Sequence, residues 1–131
     1  MGTWGLTAFE NDDALDWVFE LEGAADISVL SETFFLVNES EDDYLDASDS
    51  CFALAAAEVV AALGGKPSAD LPLEVVKWVE GKGEPDDGLV SDAKQAIRAV
   101  LEDSELKELW EESDEYEAWV SEVEGLLDRL G

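Results

Sequence analysis

The sequence predicts an all-α protein, a compact single-domain bundle of five to seven helices over residues 1–131, built round a buried central helix near residues 50–63. Three observations carry this. Apolar residues recur at three- and four-residue spacing in several segments, and glycine, proline and acidic clusters separate those segments. The stretch from Ser50 to Leu63 is apolar on almost every side, as only a central helix is. A chain of 131 residues with 47% hydrophobic residues and five Trp can bury roughly two-thirds of its unfolded surface, despite a formal charge of −27.

Asn11 is a suitable N-cap for the first helix, with Asp12 and Asp13 at its positive end and Ala14, Leu15, Val18 and Leu21 at helical spacing, giving a helix from about Asp12 to Leu21. After Gly23, the residues Ile27, Leu30, Phe34 and Val37 repeat in the same way, so a second helix runs to about Asn38; its β-branched and aromatic content leaves a strand as the alternative. A polar, acidic connection over residues 38–50 leads into the central helix. There Phe52, Ala55, Ala56, Val59, Val60 and Leu63 form one face, and Cys51, Leu54, Ala61 and Ala62 extend it. Gly64 and Gly65 end that helix. Leu73, Val76, Trp78 and Val79 mark a short helix with Pro72 in its first turn, closed at Gly81. Beyond the loop at residues 81–88, Leu89, Val90, Ala93, Ile97, Val100 and Leu101 mark a longer helix. Asp103 or Ser104 restarts the chain for Leu106, Leu109 and Trp110. A last helix carries Trp119, Val120, Val123, Leu127 and Leu130, with Glu117, Ser121, Glu124 and Asp128 on its solvated face.

The charge is unevenly placed. No Lys or Arg precedes Lys66, and twelve carboxylates between Glu102 and Asp128 face Lys107 alone. Direct binding to nucleic acid or to an anionic membrane is disfavoured, because both require a basic footprint. The start MGTWGLTAF has neither a basic nor an apolar leader segment, and no apolar run reaches the length of a membrane span, so a cytoplasmic location is expected.

There is no His, which removes the commonest general base, proton shuttle and zinc ligand together. Gly81 and Gly83 lack the residues that would complete a phosphate-binding loop. Neither catalytic residues, a cofactor nor a metal site is expected. The acidic run Glu39, Glu41, Asp42, Asp43, Asp46 and Asp49 departs from a calcium loop, since Asp43 stands in place of the turn glycine and Asp49 in place of the bidentate Glu. Cys51 reads as a small core residue.

Glu58 stands out. It lies within AAAEVVAAL, beside Leu54 and Ala62, and a carboxylate withdrawn from water there must be paired or hydrogen-bonded. Backbone amides, or an indole N–H such as that of Trp4, are the expected donors. The Trp residues read as core anchors of separate helices, except that Trp4, between glycines before the first helix, is placed to tuck back onto the bundle.

The segments MGTWG, FENDDALDW, ALAAAEVVAALGG, LPLEVVKWV and DSELKELWEES, in this order over nearly the whole chain, resemble the bacterial and archaeal family catalogued as domain of unknown function 4259. Trp4, Gly5, Phe9, Asn11, Asp12, Glu58, Leu106 and Trp110 carry the match. The resemblance implies a compact helical domain and brings no activity with it. Leu6 departs from the family pattern, and the chain is more acidic than that pattern requires. Trp4, Asn11, Asp12, Glu58 and Trp110 are therefore the candidate structural or partner-binding positions.

The function expected from these features is that of a non-enzymatic acidic interaction protein, an immunity-type inhibitor or nucleic-acid mimic that occupies the basic surface of a protein partner. The alternative is an ordinary helical domain whose acidity adapts it to molar salt. A third reading, a metal-assisted hydrolase, would use Glu58 with Asp12, Asp13 and Asp16. A dimer is compatible with the sequence.

Overall fold

The computed structural model describes residues 12–24, 26–38, 45–68 and 71–131. Among them are seven helices: α1 (Asp12–Glu22), α2 (Ser28–Asn38), α3 (Ala47–Leu63), α4 (Leu73–Val79), α5 (Asp87–Glu102), α6 (Glu105–Glu111) and α7 (Tyr116–Leu130). The segment with a strand alternative is helical. Its start is fixed by Asp26, whose carboxylate accepts hydrogen bonds from the Ser28 hydroxyl at 2.6 Å and the Ser28 amide at 3.0 Å.

Helix α3 is the hub, packing against each of the other six helices. Its buried positions run from Ser50 and Cys51 through Ala53–Ala61 to Leu63, which leaves almost no side facing water. The run of alanines lets neighbouring helices approach closely on several sides at once. Ile97 and Val100 of α5, Phe34 and Leu30 of α2 and Trp119 of α7 are the large buried side chains that surround it.

Helix α3 begins at Ala47, three residues before the start expected from the apolar pattern. The additional turn is capped twice. Asp46 accepts the Asp49 amide at 2.7 Å, and the side chain of Glu105, from the distant α6, accepts the Ala47 amide at 2.8 Å. The Glu105 amide in turn donates to the Leu45 carbonyl at 2.8 Å, an isolated parallel bridge between Leu45 and Ser104. At the other end, Lys66 N–H reaches the Ala61 carbonyl and Gly65 N–H the Ala62 carbonyl, a Schellman closure that requires the left-handed φ of 87° at Gly65. Pro72 caps α4 from outside its first turn. Asp86 caps α5 through the Leu89 amide at 2.7 Å, and Ser104 caps α6 through the Lys107 amide at 3.0 Å.

Four tryptophans anchor four different helices. Trp17 of α1 donates to the Thr33 hydroxyl of α2 at 3.1 Å, and Trp78 of α4 to the Ala24 carbonyl at 3.1 Å. Trp110 of α6 stacks on Trp119 of α7 with ring centroids 6.2 Å apart and planes 12° from parallel. Trp4 lies outside the described residues.

Candidate functional site

Glu58 is buried, at 5% exposure, on the side of α3 that faces α7. Among the described residues its partner is Arg129, in the last turn of α7, and not a backbone amide; Trp4, the indole expected to donate, lies outside the described residues. The guanidinium grips both carboxylate oxygens, Nη1 to Oε1 at 2.7 Å and Nη2 to Oε2 at 2.9 Å, and Nη1 also donates to the Lys66 carbonyl at 3.3 Å. This two-pronged geometry suits arginine alone among the cations. The hydrogen bonds from Arg129 to Glu58 push the arginine's pKa up against the opposing effect of burial. The pair ties the end of α7 to the end of α3, seventy-one residues apart in sequence, a separation that no local pattern reveals.

The remaining expected positions fall in different places. Asp12 is exposed at the first residue of α1, where a carboxylate favours the helix N-terminus. Trp110 is buried at 5% exposure against Trp119, and its indole nitrogen has no hydrogen-bond partner; it is a core residue. Trp4 and Asn11 lie outside the described residues, as does most of the acidic run, Glu39 to Asp43. Among the described residues, no group of three Asp, Glu or Cys side chains converges in a way that could hold a metal ion. Cys51 is buried, and burial, followed by the charges of Asp13 and Asp46, pushes its thiol pKa up to about 12. It is a core residue and a poor nucleophile.

Around the N-terminus of α3 the carboxylates crowd. Ser48 donates to Asp13 at 3.1 Å, Asp46 and Glu105 cap the helix, and Asp49 sits in its first turn. Partial burial, and then the neighbouring Asp46, raise the pKa of Asp49. Between described residues Arg129 pairs with Glu58, and Lys107 with Glu111 at 3.4 Å on one helix; with seven Lys and Arg against thirty-four Asp and Glu, most carboxylates have no cation to pair with.

One surface feature escaped the sequence reading. Phe35 and Leu36 lie off the Ile27, Leu30, Phe34 and Val37 stripe of α2, and they are 63% and 73% exposed. They line an open groove of about 630 Å³ between α2 and α5, together with Ser31, Glu32, Asn38, Asp92 and Gln95. Asn38 closes one end, donating to the Asp92 carbonyl at 3.2 Å, while its own side-chain oxygen is buried without a partner. The signal was available in principle: two adjacent large apolar residues off the helical stripe cannot both be buried by the same core.

No curated protein and no solved structure matches the chain. The family described as "Domain of unknown function (DUF4259)" matches residues 2–122 of the 131. That span takes in α1 to α6 and the first seven of the fifteen residues of α7, with Glu58 inside it and Arg129 beyond its end. The chain belongs to the family of domain of unknown function 4259.

Proposed function

We propose that this protein is a non-enzymatic interaction module of the cytoplasm that occupies the basic surface of a protein partner, as an inhibitor, immunity protein or nucleic-acid mimic does. The observation that carries this reading is the unneutralised charge: thirty-four Asp and Glu against seven Lys and Arg, −27 on 131 residues, with Arg129–Glu58 and Lys107–Glu111 as ion pairs between described residues. A surface of this kind accelerates encounter with a cationic partner and repels nucleic acid, which gives selectivity as well as speed. The occupation of both Glu58 oxygens by Arg129 supports a structural role for the carboxylate that a metal-assisted hydrolase would have used.

The same charge also suits a domain adapted to brine, and the strength of the repulsion between neighbouring charges bears on the choice. Dividing the accessible surface of 6932 Å² by 27 net charges gives about 260 Å² each, a mean spacing of roughly 16 Å, at which two unit charges in water repel by about 0.3 kcal/mol before screening. At physiological ionic strength the screening length is about 8 Å, which cuts that repulsion by about sevenfold. Repulsion between neighbouring charges at this spacing is therefore weak at physiological ionic strength, which supports reading the acidity as a recognition surface.

Immobilised protein incubated with extract of its own cells tests this. The expected result is retention of a basic protein, released by salt and inhibited in its own activity when bound at equal stoichiometry. Retention of acidic proteins only, or of none, contradicts the proposal.

A further inference from the structure

We propose that the groove between α2 and α5 is the docking site for a cationic amphipathic segment of the partner, whose apolar side chains seat on Phe35 and Leu36 while its Lys or Arg side chains lie against Glu32 and Asp92. This rests on the reading of the chain as an acidic interaction module, and it names where on that module the contact is made and what the partner presents. Charge alone gives fast but diffuse association; a bound register requires an apolar anchor enclosed by the acidic field. The groove supplies both. Its floor carries two of the most exposed large apolar side chains among the described residues, Phe35 at 63% and Leu36 at 73%, and its charged lining residues, Glu32 and Asp92, are both acidic. The groove is lined by residues of two helices and is open to solvent, as a site that takes a helix into a groove must be. A second copy of the chain is the wrong occupant on charge: paired about this face, two molecules of −27 would bring Glu32 and Asp92 against their own equivalents.

Fluorescence anisotropy in 0.15 M potassium chloride with two labelled helical peptides of equal positive charge tests the assignment, one with Leu at helical spacing among Lys residues and the other with Ser at the same positions. The Leu peptide is expected to bind about tenfold or more tighter than the Ser peptide, with amide shifts in NMR spectra centred on Ser31, Glu32, Phe35, Leu36 and Gln95. The double substitution Phe35→Ser with Leu36→Ser is expected to abolish that preference. Both side chains are exposed, so the fold is expected to persist, which a melting curve verifies; Leu36→Ala alone serves if it does not. Substituting Glu32→Gln with Asp92→Asn is expected to weaken both peptides and flatten their salt dependence. Equal binding of the two peptides, unchanged by the serine substitutions, overturns the groove while leaving the acidic module standing. Failure of both peptides to bind overturns the groove and the module together. A concentration-dependent dimer lost on Leu36→Ala would assign the face to a second copy, against the proposal.

Discussion

Arg129 and Glu58 set the terms at the scale of single residues. With Glu58 at 6% and Arg129 at 26% side-chain exposure, truncating the arginine strands a buried carboxylate, whereas replacing both partners by apolar groups removes the problem with its solution. Arg129→Met is expected to lower the unfolding free energy by about 2–4 kcal/mol, somewhat less than for a fully buried pair because the guanidinium keeps part of its hydration. The double variant Glu58→Met with Arg129→Met is expected to recover most of that loss, and urea unfolding of the wild type, both single variants and the double variant measures the coupling. Cys51 offers a second residue-scale test. With its thiol pKa raised to about 12, the folded protein is expected to resist iodoacetamide up to pH 10 and to react fully once unfolded. Rapid alkylation of the native chain would contradict the burial assigned to α3. Glu58 was visible in the sequence as a carboxylate in an apolar helix that needed a partner. Its partner was not, because Arg129 reads locally as a cation in the last turn of an acidic helix, and only tertiary packing brings the two helix ends together.

The helices themselves were legible in order and nearly to the residue, since each is a stripe of apolar side chains closed by glycine, proline or a capping carboxylate. Where the boundaries moved, a distant group was responsible: α3 gains its first turn because Glu105 of α6 caps Ala47, and a run of acidic residues looks the same in sequence whether it is a loop or a doubly capped helix start. At that start Asp49 carries a raised pKa, through burial first and the charge of Asp46 second. The folded state therefore binds its proton more tightly than the unfolded chain does. The stability this proton contributes is present below the ordinary value of 3.8 and is lost as pH rises through the raised pKa. Asp49→Asn is accordingly expected to melt higher than the wild type at pH 7, with the gap closing below pH 3.8. A gap that widened on acidification would reverse the assignment. In α7, Gly125 has no atom within 4 Å of where a Cβ would stand, so Gly125→Ala is expected to stabilise the helix by about 0.5–1 kcal/mol. Gly65→Ala, at a φ of 87°, is expected to cost about 1 kcal/mol. Thermal unfolding of the two variants gives the signs.

For the molecule as a whole, the composition gives the fold and the charge, but it does not give the arrangement of that charge. Seven Lys and Arg against thirty-four Asp and Glu leave most carboxylates without a cation in any fold; what the structure adds is which cations are used, Arg129 for Glu58 and Lys107 for Glu111 among the described residues. Phe35 and Leu36 were missed because apolar residues on a helix are read by default as core. The core beneath them is complete without them: Leu30, Phe34 and Val37 already fill the inner face of α2. The most direct test of the claim that the fold carries its own charge, leaving the acidic surface free for a partner, is the helical circular-dichroism melting curve in potassium chloride from about 0.01 M to above 1 M. A folded protein is expected at 0.15 M, with a melting temperature that falls appreciably only towards the lowest salt, where the screening length grows to about 30 Å and exceeds the spacing between charges. A chain that is unfolded at 0.15 M and gains its helices only in molar salt would contradict it.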